Sequence, residues 1–323
     1  MVRVGVEDAI DDSLLADFTG DIQLIRISVD PAPEEFFEVD FWIPSHRIAT
    51  ARRQWTHLKD VKVVQSLLAG VDAIRGFVPP GAILCDARGV LDSPTAEMAV
   101  TLVLAAQKYL PFYVELQQHA DWRGRSGAEQ ISLLTPGGSP DPNMPALIDE
   151  VEDKTILILG YGSIGHAIEA RLAPFGPRFI RVARSAREGV EPVSNLDALL
   201  PQADILIIIT PLTSETHHLI NADRLALMKP GALLVNVGRG PIVDTAALLR
   251  ALDEYKIRAA IDVTDPEPLP PEHPLWKAPN ILITPHISTS SSKFLSRGYA
   301  FAAQQAQRYA RGEPLLNIVT GEY

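Results

Sequence analysis

Residues 155–165 read TILILGYGSIG, a short apolar run that leads directly into three glycines with the spacing G-x-G-x-x-G. The following residues, HAIEARLAPFG, show a helical pattern that ends at a glycine. In this order of strand, turn and helix, Gly160 permits the turn, Gly162 lets the backbone approach a diphosphate, and Gly165 lets the helix pack on the strand. We therefore predict a dinucleotide-binding site here. The alternative is a tight turn whose glycines serve packing alone.

Apolar runs of similar length occur along the whole chain and are separated by helical patterns. They read VRVGV, VKVVQ and AILCDA before the glycine motif, and FIRVA, DILIIIT, ALLVNVG, AAIDV and NILITPH after it. Runs that are continuously apolar, rather than alternating, are typical of parallel strands that helices cover on both faces. The fold class is therefore predicted to be α/β.

The composition indicates a globular chain of 323 residues, 46% hydrophobic and 21% charged, with enough material for two cores. A formal net charge of −11 would repel nucleic acid and anionic lipid, so neither is an expected partner. Because no signal peptide and no apolar run of the ~20 residues needed to span a membrane is evident, we predict a cytoplasmic protein. The single cysteine, Cys85, leaves no intrachain disulfide or cysteine zinc site and is interpreted as a buried strand residue; no metal is predicted.

Two helical patterns and one irregular segment account for much of the remainder. The pattern TAEMAVTLVLAAQKYLP, which opens at Pro94 and stops before Pro111, is apolar nearly all round and predicts a helix buried between domains or subunits. Residues 123–150 are rich in Gly, Ser and Pro and predict a loop. A last helical pattern, SKFLSRGYAFAAQQAQRYARGEP, ends at Gly312.

The segment FIRVARSAR, residues 179–187, occupies the place where the second strand of a dinucleotide fold usually ends in an acidic residue. That carboxylate accepts hydrogen bonds from the adenosine ribose of NAD(H) and repels a 2′-phosphate. Arg184 stands at this position, where its guanidinium suits a 2′-phosphate, and Ser185 and Arg187 add a hydroxyl and a further positive charge. We therefore predict that NADP(H) is preferred and that NAD(H) is possible. The alternative is a cluster of solvated arginines on a loop.

Three further segments follow predicted strands with charged side chains. They are LLVNVGRGPIVD with Arg239, AAIDVTDPEPLP with Asp262 and Glu267, and NILITPHIS with His286. The carboxyl ends of parallel strands gather at one edge of a sheet, where ligands bind. Together these side chains suit hydride transfer to a 2-oxo acid: Arg239 would bind and polarise the substrate, His286 would donate the proton, and Glu267 would stabilise the imidazolium. Each alone has an ordinary alternative, as a helix-end arginine, a solvated acid or a capping histidine.

These motifs together resemble the D-isomer-specific 2-hydroxyacid dehydrogenase family over nearly the whole chain. The resemblance rests on the glycine motif, the run TPLTSETHHLINADRLALMKPGALLVNVGRGPIVDTAAL, and the segments DVTDPEPLP and TPHIS. It implies that Arg239, Glu267 and His286 are the catalytic residues, and that Asp262 lies near the nicotinamide amide. It also places cofactor contacts on Ser163, Ile164, Arg184, Thr210, Val237, Asp262 and Ser288, and we predict Tyr161, Ser185, Arg187, Pro211 and Gly238 beside them.

The resemblance also implies an architecture and a substrate loop. Two doubly wound parallel-sheet domains, Rossmann-like and flavodoxin-like, are expected with a cleft between them. The substrate domain would comprise residues 1–98 and 289–323, and the dinucleotide domain residues 99–288. Family members are commonly dimers, so the long apolar helix implies a homodimer. The segment SLLAGVDAI resembles the loop whose backbone N–H groups hold the substrate carboxylate, which implies substrate contacts at Ala69, Gly70 and Val71 in addition to Arg239.

The leading hypothesis is an NADP(H)-preferring enzyme that reduces small 2-oxo acids to D-2-hydroxy acids, with glyoxylate, hydroxypyruvate and pyruvate analogues as first candidates. A second hypothesis is a dinucleotide-sensing interaction protein on the same fold, as the family's corepressors are. A third is a dehydrogenase of a non-hydroxyacid such as formate. Thr264 and the polar run HISTSSS depart from the family pattern and would reshape or wet the pocket.

Overall fold

A computed structural model describes residues 1–122, 124 and 149–321. The loop predicted at residues 123–150 therefore falls mostly outside the described residues. Within the described parts of the chain, no helix has both the length and the apolar character needed to cross a membrane.

The chain divides into two compact units, one formed by Met1–Asp92 with Ser290–Tyr323 and the other by Ser93–Thr289. The first unit is discontinuous because the chain leaves it after its last strand and returns to it with its final helix. The division expected from the sequence, after residues 98 and 288, lies close to these bounds.

The described elements alternate strand and helix along most of the chain. The strands are β1 (Val2–Glu7), β2 (Ile22–Ile27), β3 (Phe37–Glu38), β4 (Phe41–Trp42), β5 (Leu58–Lys59), β6 (Val63–Gln65), β7 (Ile83–Cys85), β8 (Thr155–Leu159), β9 (Arg178–Ala183), β10 (Glu191–Pro192), β11 (Ile205–Ile208), β12 (Ala232–Asn236), β13 (Ile257–Ile261) and β14 (Ile281–Ile283). The α-helices are α1 (Ile48–Trp55), α2 (Asp92–Gln107), α3 (Leu110–Gln118), α4 (Ser163–Leu172), α5 (Leu196–Leu199), α6 (Ala222–Leu227), α7 (Thr245–Asp253) and α8 (Phe294–Ala310).

The first unit is built on a five-stranded parallel sheet with the order β2-β1-β4-β6-β7, and β3 and β5 pair separately. Helix α8 covers one face of the larger sheet, where Tyr299 and Ala302 join Val4 and Phe41 in a single apolar cluster. The sequence analysis located β1, β6 and β7 but missed β2 and β4. The edge strand β2 is interrupted by polar side chains and β4 has two residues, so neither forms a continuous apolar run.

The second unit is built on a seven-stranded parallel sheet with the order β10-β9-β8-β11-β12-β13-β14. In β8, Ile156 and Ile158 join one apolar cluster, whereas Leu157 and Leu159 join another on the opposite face. Both faces of the strand are therefore buried, which explains its continuous apolar run.

The long apolar pattern forms two helices rather than one. Helix α2 ends at Gln107, and Pro111 lies in the first turn of α3, where a proline is tolerated because its missing N–H has no partner in the helix. Pro111 thus lies past the end of the first helix, as the sequence analysis expected, but the second helix that begins there was not predicted.

The order of strands places a topological switch point at the centre of the second sheet. From β8 the chain moves to β9 and β10 on one side, and then crosses to β11 on the other. The segments that follow β8, β9 and β11 therefore meet at the carboxyl edge of the sheet, which is where ligands bind in open α/β folds.

Candidate active site

The glycine loop after β8 has the geometry of a phosphate-binding turn. Gly160 has φ +105°, and a Cβ atom there would lie 2.6 Å from backbone atoms of Ile209 and Thr210. A Cβ atom at Gly165 would lie 3.1 Å from the carbonyl oxygen of Gly160, whereas one at Gly162 would meet open space. Gly160 and Gly165 thus allow close packing, whereas Gly162 leaves the backbone accessible just before α4 begins. This loop fits the diphosphate of a dinucleotide, which would face the positive end of the helix dipole.

The side chain of Tyr161 is buried and turned into the protein. Its hydroxyl donates to Glu169 Oε2 at 2.7 Å, and Arg181 Nε donates to the same oxygen at 2.6 Å. The Arg181 hydrogen bond holds the pKa of Glu169 below its usual range, and burial raises the pKa of the Tyr161 phenol. The Tyr161 side chain is therefore committed within the protein and does not face a ligand. Sequence reasoning missed Glu169 and Arg181, which fix this loop from α4 and β9.

The two predicted phosphate-binding arginines have different environments. The guanidinium of Arg187 donates from Nη2 to the carbonyl oxygen of Tyr161, so it braces the glycine loop. Arg184, the first residue after β9, has a side chain that is 58% exposed, with its Nε 3.7 Å from Oε2 of Glu215. Ser185 is also exposed. Both arginines are exposed, but Arg187 is paired with a backbone carbonyl group, whereas Arg184 lies beside a carboxylate at the edge of the sheet.

Residues after β11 and β12 line the adjacent part of the same edge. Thr210 and Pro211 follow β11, and a Cβ atom at Gly238 would lie 2.9 Å from the carbonyl oxygen of Thr210. Val237 is buried, and its N–H donates to Ile208 O at 3.1 Å. These predicted cofactor residues are therefore brought together at the carboxyl ends of neighbouring strands.

Arg239 is positioned by an asparagine that sequence reasoning missed. Asn236, the last residue of β12, is buried; its Nδ2 donates to Arg239 O at 2.9 Å, and its Oδ1 accepts from Gly238 N at 3.0 Å. The Arg239 guanidinium donates from Nη1 to Gly238 O at 2.8 Å. A buried polar residue at the end of an otherwise apolar strand is the signal that would have identified Asn236.

His286 and Glu267 form a hydrogen-bonded pair. His286 Nδ1 lies 2.5 Å from Glu267 Oε1, which leaves Nε2 as the ring nitrogen that can exchange a proton with a substrate. The hydrogen bond to Glu267 raises the pKa of His286, although burial and the positive charge of Arg239 oppose this effect. All three predicted catalytic residues thus follow strands of one sheet, and Arg239 is close enough to act on the charge of His286.

The backbone at His286 is held by Asp262. His286 has φ +53°, a left-handed conformation that is unfavourable for a residue with a Cβ atom. Its N–H donates to Asp262 O at 2.7 Å. The Asp262 carboxylate, 1% exposed, accepts from Ile287 N at 3.0 Å and Ser288 N at 2.9 Å, and also from the hydroxyls of Thr284 and Ser288. Asp262 and Ser288, predicted as cofactor contacts, are therefore committed to shaping the loop that carries His286.

The predicted substrate loop lies in the first unit, after β6. The side chain of Val71 is buried, and its carbonyl oxygen accepts from Ile74 N at 3.1 Å and Arg75 N at 3.0 Å. Ala69 and Gly70 are partly exposed. A ligand at this loop would meet backbone groups rather than the Val71 side chain.

Comparison with known proteins identifies the family. The model of the D-isomer specific 2-hydroxyacid dehydrogenase, NAD binding domain, matches residues 100–288. The chain belongs to this family. The resemblance found in the sequence is confirmed, and so are the α/β class and the prediction that the protein is a hydride-transferring oxidoreductase, a D-2-hydroxyacid dehydrogenase.

Two D-2-hydroxyacid dehydrogenase structures and one curated relative illustrate the similarity. A glyoxylate reductase of Aeropyrum pernix is 37% identical over 270 residues, which cover 81% of this chain and 77% of the relative. The NADPH-dependent glyoxylate/hydroxypyruvate reductase of Sinorhizobium meliloti, in complex with NADP and sulfate, is 26% identical with a TM-score of 0.79 and covers 100% of both chains. A family member from Xanthobacter autotrophicus, in complex with NADPH and MES, is 28% identical with a TM-score of 0.75, covering 99% of this chain and 100% of that one.

Proposed function

We propose that the protein is an NADP(H)-preferring reductase that converts small 2-oxo acids to D-2-hydroxy acids, with glyoxylate and hydroxypyruvate as the first substrates to test. The observation that carries the proposal is the pair of His286 Nδ1 and Glu267 Oε1 at 2.5 Å, beside Arg239 on the edge that holds the glycine loop. The reductases of A. pernix and S. meliloti, named for glyoxylate and hydroxypyruvate, support the substrate class.

The proposed reduction uses three side chains of this chain. The glycine loop and Arg184 would hold NADP(H), which would supply the hydride for the carbonyl carbon of the substrate. His286, as the imidazolium, donates the proton from Nε2 to the carbonyl oxygen, and Glu267 stabilises that imidazolium through Nδ1. Arg239 pairs with the substrate carboxylate and polarises the carbonyl group, so that negative charge on its oxygen is stabilised before the proton arrives. The product is a 2-hydroxy acid and oxidised cofactor.

The proposed cofactor preference rests on Arg184. No carboxylate follows β9 at position 184, and the exposed guanidinium there can pair with a 2′-phosphate through charge-assisted hydrogen bonds. The two similar structures above contain NADP or NADPH, which supports this assignment. We retain NAD(H) as a possible second cofactor, and the homodimer remains a prediction.

The direct test is the initial rate of NADPH and NADH oxidation with glyoxylate, hydroxypyruvate, pyruvate, phenylpyruvate and 2-oxoisovalerate. We expect turnover of the smaller acids, with a higher kcat/KM for NADPH than for NADH. A protein that binds NADPH but turns over none of these acids would contradict the proposal. That outcome would favour the alternative of a dinucleotide-sensing interaction protein.

A further inference from the structure

Glu215 places a carboxylate beside Arg184, the residue that stands where NAD(H)-binding proteins of this fold usually have an acid. Its Oε2 lies 3.7 Å from Arg184 Nε, and the two side chains are 73% and 58% exposed. Glu215 belongs to the segment that follows β11, whereas Arg184 follows β9. The pair therefore joins two strand ends that are far apart in the sequence.

The sheet order makes this contact informative. Strand β8 lies between β9 and β11, and neighbouring strands are about 4.8 Å apart, so the two strand ends are separated by about 10 Å. The ion pair spans that distance beside the end of β8, where the glycine loop begins. A ligand held by the glycine loop and reaching towards Arg184 would thus approach the Glu215 carboxylate as well.

The position of Glu215 is defined by a hydrogen-bonded turn. Thr216 Oγ1 donates to Pro211 O at 2.7 Å and accepts from Thr213 N at 2.7 Å, and His217 N donates to Thr213 O at 3.0 Å. Thr213 is buried. The threonine hydroxyl closes the turn internally, so Glu215 is presented outward from an anchored segment.

The charges of the pair act in opposite directions on the two cofactors. A 2′-phosphate carries about −1.5 to −2 charges at neutral pH, so it would compete with Glu215 for Arg184 and be repelled by the carboxylate. A ribose 2′-hydroxyl is neutral and can donate a hydrogen bond to a carboxylate, as it does to the acid at the end of the second strand in NAD(H)-dependent relatives of this fold. Glu215 offers that acceptor from a different strand.

We infer that Glu215 is a cofactor-specificity residue that restrains NADPH binding through Arg184 and supports NADH binding. The inference rests on the proposed function, because it assigns the 2′ position of the cofactor to Arg184. Both side chains are largely exposed, so solvent and salt screen the interaction and the effect is moderate.

The test compares the variants Glu215→Gln, Arg184→Ala and the double variant with the unmodified protein. Dissociation constants for NADPH and NADH are measured by the fluorescence of the reduced nicotinamide, at low and at high salt, and kcat/KM is measured for both. We expect Glu215→Gln to tighten NADPH about two- to five-fold, to weaken NADH by a smaller factor, and to lose part of both effects at high salt. Removing Arg184 first should abolish most of the gain for NADPH, because the two residues act on the phosphate together.

A matched control is Glu254→Gln. Glu254 is an exposed acid at the C-cap of α7, which leads into the amino end of β13, so the control makes the same charge change at the opposite edge of the sheet. We expect this variant to leave both dissociation constants unchanged.

The outcomes separate the inference from the function on which it rests. If Arg184→Ala lowers NADPH affinity but Glu215→Gln changes the NADPH-to-NADH ratio no more than Glu254→Gln does, the role of Glu215 is refuted and the proposed function stands. If Arg184→Ala leaves NADPH affinity unchanged, the cofactor proposal fails and the inference fails with it.

Discussion

The loop that carries His286 and the sheet edge that carries Arg184 belong to one sheet but are held very differently. The Asp262 carboxylate is 1% exposed and takes hydrogen bonds from backbone and side chain on both flanks of His286. Arg184 is 58% exposed, with the Glu215 carboxylate 3.7 Å away. Proton transfer depends on geometry within fractions of an ångström, whereas selection of a phosphate depends mainly on charge. The difference predicts large, salt-independent effects at the first region and moderate, salt-dependent effects at the second.

The largest effect is expected for His286→Ala. Loss of the proton donor should lower kcat/KM roughly 10²- to 10⁴-fold, while the dissociation constant for NADPH changes little, because the ring is paired with Glu267 rather than with the glycine loop. Steady-state kinetics and a fluorescence titration of the same preparation check both parts. Equal losses of turnover and cofactor affinity would contradict the role of His286.

Asp262→Asn should weaken the hydrogen bonds that hold the loop carrying His286. An amide group keeps one acceptor oxygen but cannot accept on its nitrogen, so either the donors of Thr284 and Ile287 or both donors of Ser288 lose their acceptor. We expect kcat to fall roughly 10- to 100-fold through misplacement of the imidazole, and the free energy of unfolding to fall by about 1–3 kcal/mol. Urea denaturation and kcat measure the two effects, and Thr284→Val, which removes one hydroxyl donor, should give smaller changes in the same direction. A variant with normal stability and turnover would show that the hydrogen bonds of Asp262 do not position His286.

Arg184→Asp tests the exposed region. Replacing a cation by an anion should shift the NADPH-to-NADH ratio of kcat/KM roughly ten-fold or more towards NADH, since a phosphate partner is lost and repulsion is added. The shift should shrink as salt is raised. Retention of the NADPH preference would mean that the 2′-phosphate binds elsewhere.

The smallest effect at acidic pH is expected for Glu267→Gln, which changes a pH profile. The Glu267 hydrogen bond raises the pKa of His286, and reduction requires the protonated ring, so kcat/KM for reduction should fall as the pH rises through that pKa. Glutamine carries no charge, so the pKa of His286 should decrease and the fall should begin at lower pH. At a pH low enough to protonate the ring in both proteins, the difference should be least. An unchanged alkaline limb would contradict this role of Glu267.

Sequence reasoning recovered the features that local chemistry determines. The glycine motif, the apolar strands of the second unit and the charged residues after β12, β13 and β14 were all readable, because a strand buried on both faces is continuously apolar and its carboxyl end is where polar residues resume. Edge strand β2 was missed because it is only partly covered, which admits Gln23 on one face and Arg26 on the other. Short β4 was missed because two residues carry no periodic signal.

Residues that act through distant contacts could not be predicted in this way. Glu169 and Arg181 meet Tyr161 only when α4 packs beside β9, and Glu215 meets Arg184 only because β8 separates their strands by a single position. Each of these side chains, taken in the sequence, reads as an ordinary charged residue on a helix, a strand or a loop.

The sequence by itself therefore determined the fold class, the glycine turn and the identity of the groups suited to proton transfer, because each depends on the order of neighbouring residues. Tertiary structure alone decided which charges are committed and which face solvent. It assigned Arg187 to the backbone of Tyr161 and left Arg184 beside Glu215, and it enclosed Asp262 beneath His286. The physical reason is that the burial and pairing of a charge depend on which strands become neighbours in the sheet. No single segment of the sequence specifies that order.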